Sequence, residues 1–214
     1  MKRSATAWLI GAVAAFVVGS TALAEAPDAQ LNATADFAAA SAADLMMAAP
    51  GVQISTTTTS YAVEGSTWTA VATSLRADAA GEWAASTTWQ FTTSYRYEDT
   101  GRACRAGPVS VAAAINYRLP DWSPPADAPQ DLVDSWDRFS DGVRVHEAGH
   151  RDIAVAAAVA LADALRGLPA QPSCADFERS ARTATADLMR QHEHDQVAYD
   201  LETNHGLTQG AVFR

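Results

Sequence analysis

Lysine is almost missing from this chain. Lys2 is the only one in 214 residues, so every other cationic side chain is an arginine, and the formal charge is −10. A surface that acidic argues against nucleic acid or anionic lipid as a partner. Cysteine is scarce too, with only Cys104 and Cys174. No cysteine stands directly after the N-terminal apolar run, so no lipid attachment is expected there. Beyond that run, no stretch is long and apolar enough to span a membrane.

What the N-terminus does have is the pattern of a secretory signal peptide. Lys2 and Arg3 form a positive start, Trp8 to Gly19 an apolar stretch, and Ala22-Leu23-Ala24 a small-residue cleavage site. Residues 1–24 are therefore expected to be removed, leaving a periplasmic or secreted protein without stable membrane insertion. In such a compartment an even pair of cysteines most simply forms one disulfide, Cys104 to Cys174, tying the middle of the chain to its C-terminal third. Residues 25–50 are alanine-rich and read as a spacer, with a short helix near Asp36 to Ala49 ended by Pro50-Gly51. A single domain is expected over 51–214, long enough to bury a real core.

The first half of that domain reads mostly as strand. In "TWQFTTSYRYE", Trp89, Phe91, Thr93, Tyr95 and Tyr97 alternate with polar residues, and "VSVAAAINYRL" repeats the pattern from Val109 to Leu119. "GSTWTAVATSLRADAAG" reads as a helix, with Ser66 as N-cap and Gly81 beyond its end. The prolines of "LPDWSPPADAP" forbid regular structure. A long helix then runs to about Leu165. After "GLPAQP", Ser173 caps another helix, with Asp176 at its third position, to about Tyr199. The tail reads as a loop. The class is α+β: an antiparallel or mixed sheet followed by two helices.

The chemistry lies in "VRVHEAGHRDIAV". Leu132, Trp136, Phe139 and Val143 form the buried stripe of an amphipathic helix, and the same count lands on His146, His150 and Ile153. Only a break at Asp141-Gly142 would blur that phase. Two buried imidazoles one turn apart need hydrogen-bond partners or a metal. Their i, i+4 spacing lets both converge on one Zn²⁺, with Glu147 beside the metal as general base. A third ligand is required. His192 continues the apolar face of the last helix, and His205 sits on the irregular segment beyond it; helical phase leaves both open. His194 falls off that face. Tyr199 is a candidate hydrogen-bond donor to a developing oxyanion, or simply a packing residue at a helix end. Asp200 is placed to orient a ligand histidine from behind.

"HEAGH" followed by "YDLETNHGLTQGA", together with "YAVEG", "LPDW" and "WDRF", resembles a bacterial family of predicted secreted zinc-dependent proteases, domain-of-unknown-function family 922. The likeness covers nearly the whole chain and includes both cysteines. It implies a zincin-like metallopeptidase and favours His205 over His192 as third ligand, because the closing motif contains 205. The resulting expectation is a zinc peptidase acting on a peptide or protein substrate. The alternatives are an amidase acting on cell-wall peptide and a non-catalytic zinc-stabilised binding module. Oligomeric state is left open.

Overall fold

The computed structural model describes residues 50–78 and 84–213. The expected signal peptide, the spacer up to residue 49 with its short helix, and Gly81 lie outside the described residues. The elements are β1 (Val52–Val63), α1 (Trp68–Asp78), β2 (Ser86–Asp99), β3 (Cys104–Trp122), α2 (Gln130–Arg166), α3 (Cys174–Thr203) and a 3-10 turn at Leu207–Gln209. The sheet order is β1-β3-β2, with β3 parallel to β1 and antiparallel to β2. The fold is α+β, a mixed sheet followed by two long helices, as the alternation and the helical spacing imply.

The period-two pattern sets which face of the sheet is covered. Odd-numbered residues of β2 from Thr87 to Tyr97 are half-buried and even-numbered ones exposed. Val109, Val111, Ala113, Ile115 and Tyr117 of β3 are buried on the same side. Between Tyr95 and Tyr97 the register shifts. There β3 carries Gly107 and Pro108, and a proline with no N–H to donate suits a bulge.

Several expected boundaries differ. β3 continues through Pro120 to Trp122, paired with β1. Pairing with β2 ends at Arg118 opposite Ser86, so Pro120 costs no ladder bond on that side. Thr67, not Ser66, caps α1: its hydroxyl accepts from the Ala70 N–H at 3.3 Å. Both residue types cap well, and register decides between them. Asp141-Gly142 does not interrupt α2, which runs unbroken for 37 residues. At α3 the cap is as expected, the Ser173 side chain accepting from the Asp176 N–H, but the helix extends one turn further, to Thr203. Asn204, in the left-handed region with φ 49°, ends it.

Helix α2 serves two apolar clusters in succession. Its first half packs Leu132, Trp136, Phe139 and Val143 against Trp122, Val63, Val71 and the tail residue Phe213. Its second half lays Ala158, Leu161, Ala162 and Leu165 on Val109, Val111 and Ala113 of the sheet. Ile153, expected on the stripe, is only half-buried, and Ala154 takes the buried position. The helix changes neighbour at that point, so the stripe steps by one residue. His146 to Arg151 lie between the two clusters.

The start of β3 is fastened to the start of α3. Cys104, at the start of β3, is disulfide-bonded to Cys174, at the start of α3, across 70 residues. Cys104 and Gln171 also exchange two backbone hydrogen bonds at 2.8 Å, stapling the α2–α3 connection to the sheet. Closing so long a loop removes conformational freedom from the unfolded chain. A Cys104→Ser/Cys174→Ser variant should therefore lose about 2–5 kcal/mol of unfolding free energy in urea titration. A loss below about 1 kcal/mol would mean that the reduced chain is held in place by other contacts.

Candidate metal centre

His146 and His150 follow one another by one turn on the face of α2 that meets α3, and each is less than a tenth exposed. Their Nε2 atoms lie 3.2 Å apart. Asp200, on the last turn of α3, places Oδ1 3.2 Å from His146 Nε2 and 3.1 Å from His150 Nε2. The three donors form a nearly equilateral triangle. A tetrahedral ion with bonds of about 2.0–2.1 Å has donor–donor edges of about 3.3–3.4 Å, so the triangle is close to the size such an ion needs. His146, His150 and Asp200 thus form a group that can hold a metal ion.

The surrounding hydrogen bonds fix what those atoms present. Gln196 Nε2 donates to the His150 backbone carbonyl at 3.0 Å, which turns Gln196 Oε1 toward His150 Nδ1 at 2.6 Å. An amide oxygen only accepts, so Nδ1 carries the proton and Nε2 is left with its lone pair. A ring of bonds does the same for His146. The Tyr199 hydroxyl donates to the His146 carbonyl at 3.2 Å and accepts from Gln209 Nε2 at 2.9 Å. Gln209 Oε1 then accepts from His146 Nδ1 at 3.0 Å, and Thr203 Oγ1 lies 3.3 Å from the same nitrogen. Two lone pairs and a carboxylate oxygen converge, which is the donor chemistry of a cation site. Burial, and then the neighbouring His150, push the pKa of His146 down and favour that neutral form.

Glu147 is held against the sheet, and its carboxylate also feels the charges of His150 and Asp200. It is 5 % exposed, and its Oε2 accepts from the Thr87 hydroxyl of β2 at 2.6 Å. Burial raises its pKa, against the opposing effects of the Thr87 bond and of His150. Two glycines of α2 allow the approach of the elements that complete the centre. A Cβ at Gly149 would overlap the Tyr199 ring, which stacks on His146 at 5.3 Å between centroids. A Cβ at Gly142 would overlap the backbone of Gly210 and Ala211, so the tail could not reach the helix with Gln209.

The other expected residues fall as follows. Asp200, expected behind the ligands, stands among the donors. His205 lies outside the three-donor cluster, half-exposed, with Nδ1 3.5 Å from Asp200 Oδ1 and φ 51° in the left-handed region. His192 lies outside the three-donor group. It is 3 % exposed, and its ring lies nearly perpendicular to those of Trp89 and Phe91, with centroids 4.8 and 5.3 Å away. Thr87, Gln196, Thr203 and Gln209 were not anticipated. One signal for Gln196 was available: with His192 and Asp200 it makes a polar row at four-residue spacing on the buried face of α3. Gln209 carries no such signal, because it acts from a turn.

An α+β domain with a two-histidine, one-carboxylate group between its long helices is what the fold and the centre define. The chain belongs to the family described as "Bacterial protein of unknown function (DUF922)", whose model matches residues 58–206. No curated protein and no solved structure matches the chain.

Two measurements follow from this geometry. Gln196→Ala and Gln209→Ala should each weaken metal binding by about 10–100-fold in a competition titration, since each frees one imidazole to rotate or change tautomer. Unchanged affinity would show that packing alone orients the rings. His192 gives a second test, because neither ring nitrogen has a hydrogen-bond partner among the described residues. Burial lowers its pKa to about 4. The unfolded chain therefore takes up this proton first as pH falls, so the stability present above about pH 6.5 drains away toward pH 4. His192→Phe should remove that acid limb, gaining on the order of 3 kcal/mol over the metal-free wild type between pH 7 and 4. A stability difference that does not vary with pH would refute it.

Proposed function

We propose that this protein is a zinc-dependent peptidase of the zincin type, working in the periplasm or outside the cell. The observation that carries the reading is the placing of Glu147: a buried carboxylate next in sequence to one of two convergent histidines, with its pKa raised by burial. His146, His150 and Asp200 would hold the ion, and His205 would support Asp200 from the open side. Zn²⁺ bound there supplies Lewis acidity toward a peptide carbonyl and toward water. The fit rests on the donor triangle and on the two fixed tautomers.

The chain's own groups divide the remaining work. Glu147 takes a proton from the attacking water and returns it to the departing amine, which a raised pKa favours near neutral pH. Thr87 holds that carboxylate against β2. Tyr199 supports His146 through ring stacking and its hydrogen bond to the His146 carbonyl. To act as oxyanion donor its hydroxyl would have to leave that carbonyl. The disulfide suits an oxidising compartment, and no helix among the described residues is long and apolar enough to cross a membrane.

The test is Glu147→Gln beside Asp200→Ala, with zinc content and hydrolysis of an unfolded protein measured on each. Glu147→Gln should keep about one zinc per chain and lose hydrolysis by about 10²–10⁴-fold. Asp200→Ala should lose both. Full hydrolysis by Glu147→Gln would end the peptidase reading as stated here.

A further inference from the structure

Four large apolar side chains are exposed among the described residues: Val145, Val197, Leu201 and Leu207, at 43, 59, 72 and 48 %. All four adjoin the candidate metal centre along the chain. Val145 precedes His146, Val197 follows Gln196, Leu201 follows Asp200, and Leu207 opens the turn that ends at Gln209. Single exposed apolar residues scattered over a surface are ordinary; four gathered around one polar centre are not scattered.

Helical phase arranges them further. Val197 and Leu201 are one turn apart on α3, on the side of the helix next to Asp200. Val145 lies on the α2 stripe that includes Gly142 and Gly149, the stripe that meets the tail and Tyr199. The apolar side chains therefore come from all three segments that build the centre: α2, α3 and the tail. The formal charge beside the α3 pair has one sign, while Val145 follows Arg144. From Gln191 to Thr203, α3 carries four carboxylates (Glu193, Asp195, Asp200 and Glu202) and no arginine or lysine. An anionic lipid surface or an acidic peptide would be repelled there.

We infer that this rim binds the bulky apolar side chains of an extended peptide free of acidic residues. This rests on the peptidase reading and names its substrate class: segments rich in leucine or phenylalanine that folded proteins keep inside. Discrimination comes from contact with an open rim rather than a closed pocket, so it should be on the order of 10-fold between leucine and serine at one position.

The experiment separates binding from cleavage. Zinc-loaded Glu147→Gln protein is titrated with fluorescein-labelled peptides that share one neutral sequence and differ at a single position: Leu, Phe, Ser or Glu. Fluorescence anisotropy reports affinity. Leu and Phe peptides should bind on the order of 10-fold tighter than Ser, and Glu weakest. Adding Val197→Ser and Leu201→Ser should bring the Leu to Ser ratio near one, with zinc content and melting temperature unchanged, because both residues are exposed. An unaltered ratio in that variant overturns the inference, as does equal binding of all four peptides. So does a dependence on Val197 and Leu201 confined to phosphatidylcholine vesicles. Wild-type hydrolysis is assayed separately on the same peptides. Loss of the leucine preference in the variant, without any wild-type cleavage, would keep the rim as a peptide-binding surface and overturn only the peptidase reading.

Discussion

Two imidazole lone pairs and a carboxylate oxygen, 3.1–3.2 Å apart and aimed at one another, are the constraint around which the second half of this protein is organised. Such an arrangement repels itself unless positive charge lies between its members or the surroundings hold it in place. The surroundings here include two glutamine side chains, each of which fixes one imidazole. Gln196 uses both ends of its amide on the same residue, binding ring and carbonyl of His150. Gln209, on the turn beyond α3, accepts from the His146 ring and donates to Tyr199, whose hydroxyl holds the His146 carbonyl. A donor set this ordered on its outer side leaves the inner lone pairs free to meet a cation.

That constraint explains features otherwise hard to connect. Gly142 and Gly149 stand seven residues apart on α2, and each is the point where another segment comes too close for a Cβ. One admits the tail, the other Tyr199. Asn204, His205 and Gly206 follow one another in the left-handed region, and that tight reversal returns the chain from the end of α3 to the helix carrying the histidines. The strain of two consecutive non-glycine residues there is compensated by what the reversal delivers, a glutamine at the ring of His146. The disulfide, at the first residue of α3, fixes the start of the helix that carries Gln196 and Asp200 near its end.

Much of this was legible in the sequence, and the parts that were not have physical reasons. The helix carrying the histidine pair follows from a spacing of three and four, and its burial phase held through His150, beyond Val143, the helix's last residue in the first apolar cluster. It slipped at Ile153 because the helix there packs on the sheet, a change of neighbour that no periodicity encodes. The strands were visible in their alternation, but the extension of β3 through Pro120 was not, since it depends on β2 having already ended. The place of Asp200 among the three donors was not foreseen for a similar reason. With α3 expected to stop near Tyr199, residue 200 belonged to a loop; one more helical turn puts it in the row of His192 and Gln196, facing the histidines. Gln209 could not be found at all, because its contact with His146 spans a turn whose course is set by glycines.

His192 shows how far residue type can mislead when its neighbours are unknown. Its position on the buried face of α3 made it as good a ligand as His205 by phase. In the fold that same face meets different partners along its length. At residue 192 they are the rings of Trp89 and Phe91, and at residues 196 and 200 they are the histidines of α2. An imidazole held neutral against aromatic rings contributes packing and loses its hydrogen bonds. The one turn between His192 and Gln196 therefore marks the border between hydrophobic core and candidate centre, and the helix crosses it without any change in its own pattern. The make-up of the candidate centre is set by what each turn of α3 faces, and the extra turn to Thr203 is what brings a carboxylate to the two histidines.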